Sequence, residues 1–292
     1  MMRSLTPYLN SAAKAFLDVV ALVGGRRPRN RSVVGLELLR AEIQTAVPEP
    51  SGAHDAWMKY CNQLRRSIAD RDPANFLRWK FIRRSMCLTN HPFLLVELRY
   101  LRSLPDWTDR WEPALADPWV GNPIPFLFAR KTTGNTIHLA YHLAQWERAS
   151  GCKVNDLSTI VEFGGGFGGM TRLARVLGFN GRYVVYDLPP FTALQRFYIS
   201  ECGIEAETSS EISSLETGHE GDGLFVACFS WSETPLDTRS FIESIARQHR
   251  HLLVGYQQRF RGIDNRSYFL NWTESTEHYE IGHTPGSWYL LR

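Results

Sequence analysis

The sequence predicts an α/β fold: a mostly parallel sheet closed by an antiparallel terminal hairpin and preceded by a helical N-terminal region. Three observations predict it. After about residue 158, short β-rich runs alternate with helical ones, the pattern of parallel strands joined by crossover helices. Before about residue 150 the spacing of apolar residues is helical, and no strand-like alternation of any length is present. The last two β-rich runs, 278–283 and 287–291, flank the turn residues Thr284-Pro285-Gly286, which predicts a hairpin. The division that follows is a helical region over 1–125 and a ligand-binding domain over 126–292.

The elements follow in order. Ser11 can cap a first helix over the apolar stretch 12–23, which Lys14 and Asp18 interrupt, so an amphipathic helix is expected and not a signal or a membrane span. Residues 34–47 repeat apolar positions at helical spacing. Asp72-Pro73 supplies a cap followed by a proline at the first helical position, opening a helix over 76–86. Residues 107–125 are rich in Trp, Pro, Asp and Gly, which reads as a long ordered loop at the boundary. A helix over 133–150 then carries Ile137, Ala140, Tyr141 and Ala144 on one face and His138, His142 and Gln145 on another. Strands are expected at 159–163, 182–186, 223–229 and 251–256, with helices at 169–177, 190–202 and 238–249 between them.

Composition narrows the class. With 43% hydrophobic and 22% charged residues in 292, the chain has the make-up of a folded globular protein, not of a disordered or fibrous one. A formal charge of +3 is too small to predict nucleic-acid binding, although Arg26, Arg27, Arg29 and Arg31 form a basic cluster that a polyanionic glycan or an acidic membrane surface could meet, with a solvated linker between helices the favoured reading. Five scattered cysteines without a C-x-x-C pair suggest neither a disulfide framework nor a zinc site, and a reducing, cytoplasmic setting is expected. The sequons at Asn265 and Asn271 are then chance matches.

The chemistry centres on Glu162-Phe163-Gly164-Gly165-Gly166-Phe167-Gly168, a glycine-rich turn between a strand and a helix. Glycines there allow a tight turn and the close approach of a nucleotide-type ligand. The same run satisfies G-x-G-x-x-G through Gly164, Gly166 and Gly169, so a dinucleotide reading has to be weighed. Glu162 places an acid where a pyrophosphate would be repelled and a cationic amino group attracted. Asp187, some twenty residues on at the end of the next strand, can accept ribose hydroxyls from either ligand. Too few residues follow for the second mononucleotide half of a dinucleotide fold.

The stretch "IVEFGGGFGGMTRLA" at 160–174, "YVVYDLPPFTALQRFYIS" at 183–200 and "FSWSE" at 229–233, with Gly121-Asn122-Pro123, resembles the class I S-adenosylmethionine-dependent methyltransferases, and within them the sugar O-methyltransferase family. The resemblance covers roughly 118–260. It implies a Rossmann-like class I methyltransferase fold with a seven-stranded sheet, and S-adenosyl-L-methionine as cofactor. Glu162, Gly164, Gly165, Gly166 and Gly168 would lie near the amino-acid part of that cofactor and Asp187 on the ribose, with Leu188 also in the cofactor site; Ser230 contacts cofactor or acceptor, or simply satisfies the turn. An acid near the adenine is expected after the third strand, where Glu205, Glu207 and Glu211 all qualify. The implied acceptor is a sugar hydroxyl in a glycan, nucleotide sugar or glycosylated metabolite, with the helical region serving as a lid, substrate or dimerisation module and a homodimer expected.

Methyl transfer needs alignment of acceptor oxygen, methyl carbon and sulfur, and a base to take the hydroxyl proton. The candidate bases are Glu233, His138 and His142. For Glu233 the alternative is a surface or helix-capping acid. For the histidines, one turn apart, it is a solvated polar face; no metal is assigned to them. Ser232 satisfies a turn or contacts a ligand. Trp231, Tyr256, Phe260, Tyr268, Phe269 and Trp272 either stack on a sugar or belong to the core.

Overall fold

The computed structural model describes residues 16–20, 33–46, 55–215, 222–272 and 276–292. Ser11, residues 12–15 and 21–23 of the first expected helix, Val47, the cluster Arg26, Arg27, Arg29 and Arg31, and Thr273 of the second sequon lie outside these; residues 16–20 are helical.

Seven strands form the main sheet: β1 (Thr159–Phe163), β2 (Arg182–Tyr186), β3 (Glu207–Ser209), β4 (Gly223–Cys228), β5 (His251–Gln257), β6 (Glu277–Glu280) and β7 (Ser287–Leu291). Their order is β6-β7-β5-β4-β1-β2-β3. Strands β1 to β5 pair in parallel, while β7 runs antiparallel to both β5 and β6. This is the Rossmann-like class I methyltransferase sheet that the resemblance implies, terminal hairpin included.

Because side chains alternate across a strand, each strand feeds two cores. Ile160, Val185, Leu224, Val226, Leu253 and Tyr289 face one side, where they meet helix α5 (Gly134–Ser150) and helix α6 (Gly169–Val176). Val161, Val184, Phe225, Ala227, Leu252 and Val254 face the other, against helix α8 (Leu236–Gln248) and helix α9 (Asn265–Leu270). Trp231, Tyr256, Phe269 and Trp272 are buried in that second core, which answers the question of their role. Asn265 is fully buried with its amide donating to the Gln257 carbonyl, so that sequon is structural.

The helical region contributes α1 (Val33–Thr45), α2 (Asp55–Asp70), α3 (Lys80–Ser85) and α4 (Leu94–Arg102). A third core joins Leu39, Ile43, Leu64 and Ile68 of α1 and α2 to Phe191, Leu194 and Phe197 of α7 (Pro189–Glu201). Three expectations are corrected. The single helix over 76–86 is two pieces, a 3-10 helix Pro73–Arg78 capped by Asp72 and then α3; Trp79, at ψ 134°, is extended and breaks the turn. The region before 150 does contain strands, an antiparallel pair Pro125–Phe126 and Ala129–Thr133, too short to show alternation. The boundary loop holds a π-helical turn at Trp107–Trp111.

Candidate functional site

The strand order reverses between β1 and β4, and ligands of open α/β sheets sit at the carboxyl edge of such a switch point. A cavity of about 440 Å³ lies there. Glu162, Gly164, Gly165, Gly166, Asp187, Leu188, Ser230, Glu233, His138 and His142 all line it, residues brought from four separate stretches of chain. Gly168 does not. It caps α6 in the left-handed region (φ +94°), and a side chain there would point toward Ile199 and Tyr198. Glu205, Glu207 and Glu211 are also absent from the lining; Glu207 instead pairs with Arg182 at the sheet edge.

The glycine loop is dictated by its surroundings. A Cβ on Gly164 (φ +76°) would stand 2.3 Å from that of Ser230, and one on Gly165 would stand 2.3 Å from Val185 Cγ2. Gly166 (φ +60°) is different: only Met86 comes within 4 Å of where its Cβ would be, at 3.8 Å, so the space above the loop is open to a ligand. Gly164 N–H donates to the Tyr186 carbonyl at 2.8 Å, and the Ser230 hydroxyl donates to the Phe163 carbonyl, tying β1, β2 and the β4 exit together.

Two acids anchor the loop. Asp187 accepts from Gly166 N–H at 2.7 Å and Gln195 Nε2 at 3.3 Å on Oδ2, and from Leu188 N–H at 2.8 Å on Oδ1. Burial pushes it up to about 7, against the two backbone N–H donors. Glu162 lies beneath the loop, its Oε2 accepting from the Tyr183 hydroxyl at 2.7 Å and the Thr171 hydroxyl at 3.4 Å. Burial pushes it too up to about 7, the two hydroxyls offsetting part of the effect.

On the opposite wall the histidines are not a solvated face. His142 is 1% exposed, and the second face of α5 is buried through Gln145 as well. Glu97 of α4, fully buried, holds His138 Nδ1 at 2.8 Å and His283 Nε2 at 2.8 Å on the same oxygen. His138 Nε2 meets His142 Nε2 at 2.9 Å, and His142 Nδ1 meets the Tyr289 hydroxyl. One donor pattern serves the ring nitrogens: Tyr289 O–H donates to His142 Nδ1, His142 Nε2–H to His138 Nε2, and His138 Nδ1–H to Glu97 Oε1, while Glu97 Oε2 is left without a partner among the described residues. Burial, then His138 and His283, keep His142 well below its ordinary value, so it is neutral. Burial would push Glu97 up, but His138 and His283 hold it below the usual range.

Glu233 is also committed. Its two oxygens accept from Gln257 Nε2 at 2.8 Å and from Trp57 Nε1 at 2.7 Å, which fastens α2 to the sheet edge. Burial raises it above its ordinary value, against both donors. Between Glu233 and the histidines, Phe229 sits in the left-handed region (φ +69°), an uncommon place for a bulky residue that costs roughly 1–2 kcal/mol.

Sequence reasoning missed Glu97, His283, Tyr289, Trp57, Arg83 and Met86. One signal existed for Glu97: it shares a helical stripe with Leu94, Leu98 and Leu101, all buried, so an acid stands on an apolar face. Among the described residues, no group of His, Cys, Asp or Glu is arranged to hold a metal ion.

No family profile and no curated protein matches the chain. Solved structures similar to it include a mitomycin 7-O-methyltransferase, at 14% identity over 98% of this chain and 99% of that one, with TM-score 0.40. A magnesium protoporphyrin IX methyltransferase from Synechocystis with bound S-adenosylhomocysteine is 12% identical over 53% of this chain and 81% of its own, with TM-score 0.37. A SAM-dependent methyltransferase from Aquifex aeolicus is 15% identical over 46% and 81%, with TM-score 0.33. These likenesses are slight, and the cavity's own residues carry the functional reading.

Proposed function

We propose that this chain transfers a methyl group from S-adenosyl-L-methionine to a hydroxyl of a sugar in a glycan, nucleotide sugar or glycosylated metabolite. The observation that carries the cofactor is Glu162, a carboxylate buried directly under a glycine loop, with Asp187 on the same cavity one strand away. A pyrophosphate over that loop would meet an acid; an ammonium group would meet a partner. When bound, the cofactor supplies an electrophilic methyl group.

The chain's residues divide the remaining work. Gly164, Gly165 and Gly166 keep the loop low, and Gly168 lets it turn into α6. Asp187, whose Oδ1 accepts only from Leu188 N–H among the described residues, takes the ribose hydroxyls beside Leu188. Ser230 holds the β4 exit against the loop. His138 is the base: Glu97 fixes its Nδ1–H, as a carboxylate orients the imidazole in catalytic triads. An acceptor hydroxyl replacing His142 on His138 Nε2 would hand its proton there. The bonds from Trp57 and Gln257 favour Glu233 as a positioning group.

The helical region 1–125 supplies Trp57, Arg83, Met86, Leu88 and Phe93 to the cavity, which suits an acceptor-side module over the cofactor domain 126–292. A homodimer through that region, and a cytoplasmic setting suited to five free thiols, complete the proposal. Among the described residues, no helix is long and apolar enough to cross a membrane. The test is a screen of free sugars, nucleotide sugars and glycosides with methyl-labelled cofactor. Label appearing on a sugar oxygen supports the proposal; label found only on a non-sugar acceptor, or on none, contradicts the sugar assignment.

A further inference from the structure

The glycine loop has a cationic neighbour from the helical region. Helix α3 ends at Ser85, and the next residue, Met86, places its Cβ and Sδ 3.8 Å from where a Gly166 Cβ would be. The end of α3 therefore stands over the loop. Arg83, one turn back from Met86, lines the same cavity.

Its guanidinium is poorly committed. Among the described residues the one acid it touches, Asp18, already accepts from the Thr89 hydroxyl at 3.0 Å and from Asn90 N and Nδ2 at 3.2 and 3.1 Å, and meets Arg83 only at 3.5 Å. Among the described residues Arg83 Nε is buried without a partner. A buried guanidinium N–H left unpaired is costly, whereas Arg presents a planar fork matched to a carboxylate. Glu162 lines the same cavity from beneath the loop, against Gly165. A ligand with an ammonium and a carboxylate on one carbon would meet both an acid and a guanidinium there.

We propose, resting on the cofactor reading above, that Arg83 binds the α-carboxylate of the cofactor's amino-acid portion, so that the helical region closes the cofactor site as well as the acceptor site. The carboxylate would take Arg83 Nε–H and a terminal N–H side by side. Charge-assisted pairing of this kind is worth roughly 10- to 100-fold in affinity.

Calorimetry on the full chain tests this without an acceptor. Three ligands serve: S-adenosylhomocysteine, its decarboxylated analogue, and 5′-methylthioadenosine, which lacks the amino-acid portion. The wild-type chain should bind S-adenosylhomocysteine about 10- to 100-fold more tightly than the decarboxylated analogue; equal affinities overturn the proposal without any variant. Arg83→Gln should lose that factor on S-adenosylhomocysteine and nothing on 5′-methylthioadenosine, and Arg83→Lys should recover part of it. A loss shared by both ligands marks a structural role, and no loss on either marks an arginine that serves the acceptor; each overturns the proposal. A wild-type chain that binds none of the three removes the cofactor reading itself, an outcome distinct from failure of Arg83 alone.

Discussion

Replacing Glu162 with Gln should move stability and ligand affinity in opposite directions. The carboxyl is 5% exposed and shifted from 4.5 to about 7 by burial. An acid whose folded-state pKa is raised contributes fully below the unfolded value, and that contribution is lost as pH rises from about 4.5 through about 7. The shift corresponds to about 3 kcal/mol at 1.36 kcal/mol per tenfold. Gln keeps an oxygen to accept from Tyr183 and Thr171 and carries no charge to desolvate. The ligand-free Glu162→Gln chain should therefore be more stable than wild type at pH 8, by up to about 3 kcal/mol, and close to it at pH 4.5. Binding should respond the other way. A ligand ammonium requires the ionised acid, so wild-type affinity for S-adenosylhomocysteine should fall up to tenfold per pH unit below about 7, with proton release; in the variant that proton disappears and affinity at pH 8 is weakened. Denaturant unfolding at the two pH values and calorimetry in buffers of different ionisation enthalpy read both. A variant less stable than wild type at pH 8, or one that binds as wild type does with the same proton release, refutes the reasoning.

Gly165→Ala should cost about 1–3 kcal/mol of stability, since its Cβ would collide with Val185, whereas Gly166→Ala, strained only by its backbone, should cost nearer 1 kcal/mol; thermal unfolding of the pair distinguishes them. Asp187→Ala removes the acceptor of the Gly166 and Leu188 N–H groups and the proposed ribose partner, so S-adenosylhomocysteine affinity should fall at least tenfold by calorimetry. Glu97→Gln should leave that affinity unchanged and lower kcat about 10²- to 10⁴-fold on an acceptor found by the screen; unchanged kcat would release His138 from its assigned role.

What was legible in the sequence follows from distance along the chain. Strands β1 and β2 stand at the expected residues because both faces are buried, and each reads as an apolar run between turns. Strand β3 escaped notice because it is three polar residues at the sheet edge, stabilised by Arg182 on Glu207. The cavity wall at the glycine loop was readable for the same local reason: Glu162, the glycines and Asp187 fall within one strand–helix–strand unit. The opposite wall was legible only at His138 and His142, one helical turn apart; Glu97 and the terminal hairpin's His283 and Tyr289 come from distant segments and meet the histidines only in the folded chain. The helix over 76–86 failed at Trp79, whose burial against Phe81 overrides local helical spacing.

The central claim, that the cavity over Gly166 takes S-adenosylmethionine and not a dinucleotide, is tested most directly by calorimetric titration of the wild-type chain with S-adenosylhomocysteine and with NAD at pH 8. Saturable binding of the first and none of the second is predicted. Binding of NAD with no binding of S-adenosylhomocysteine would contradict the account.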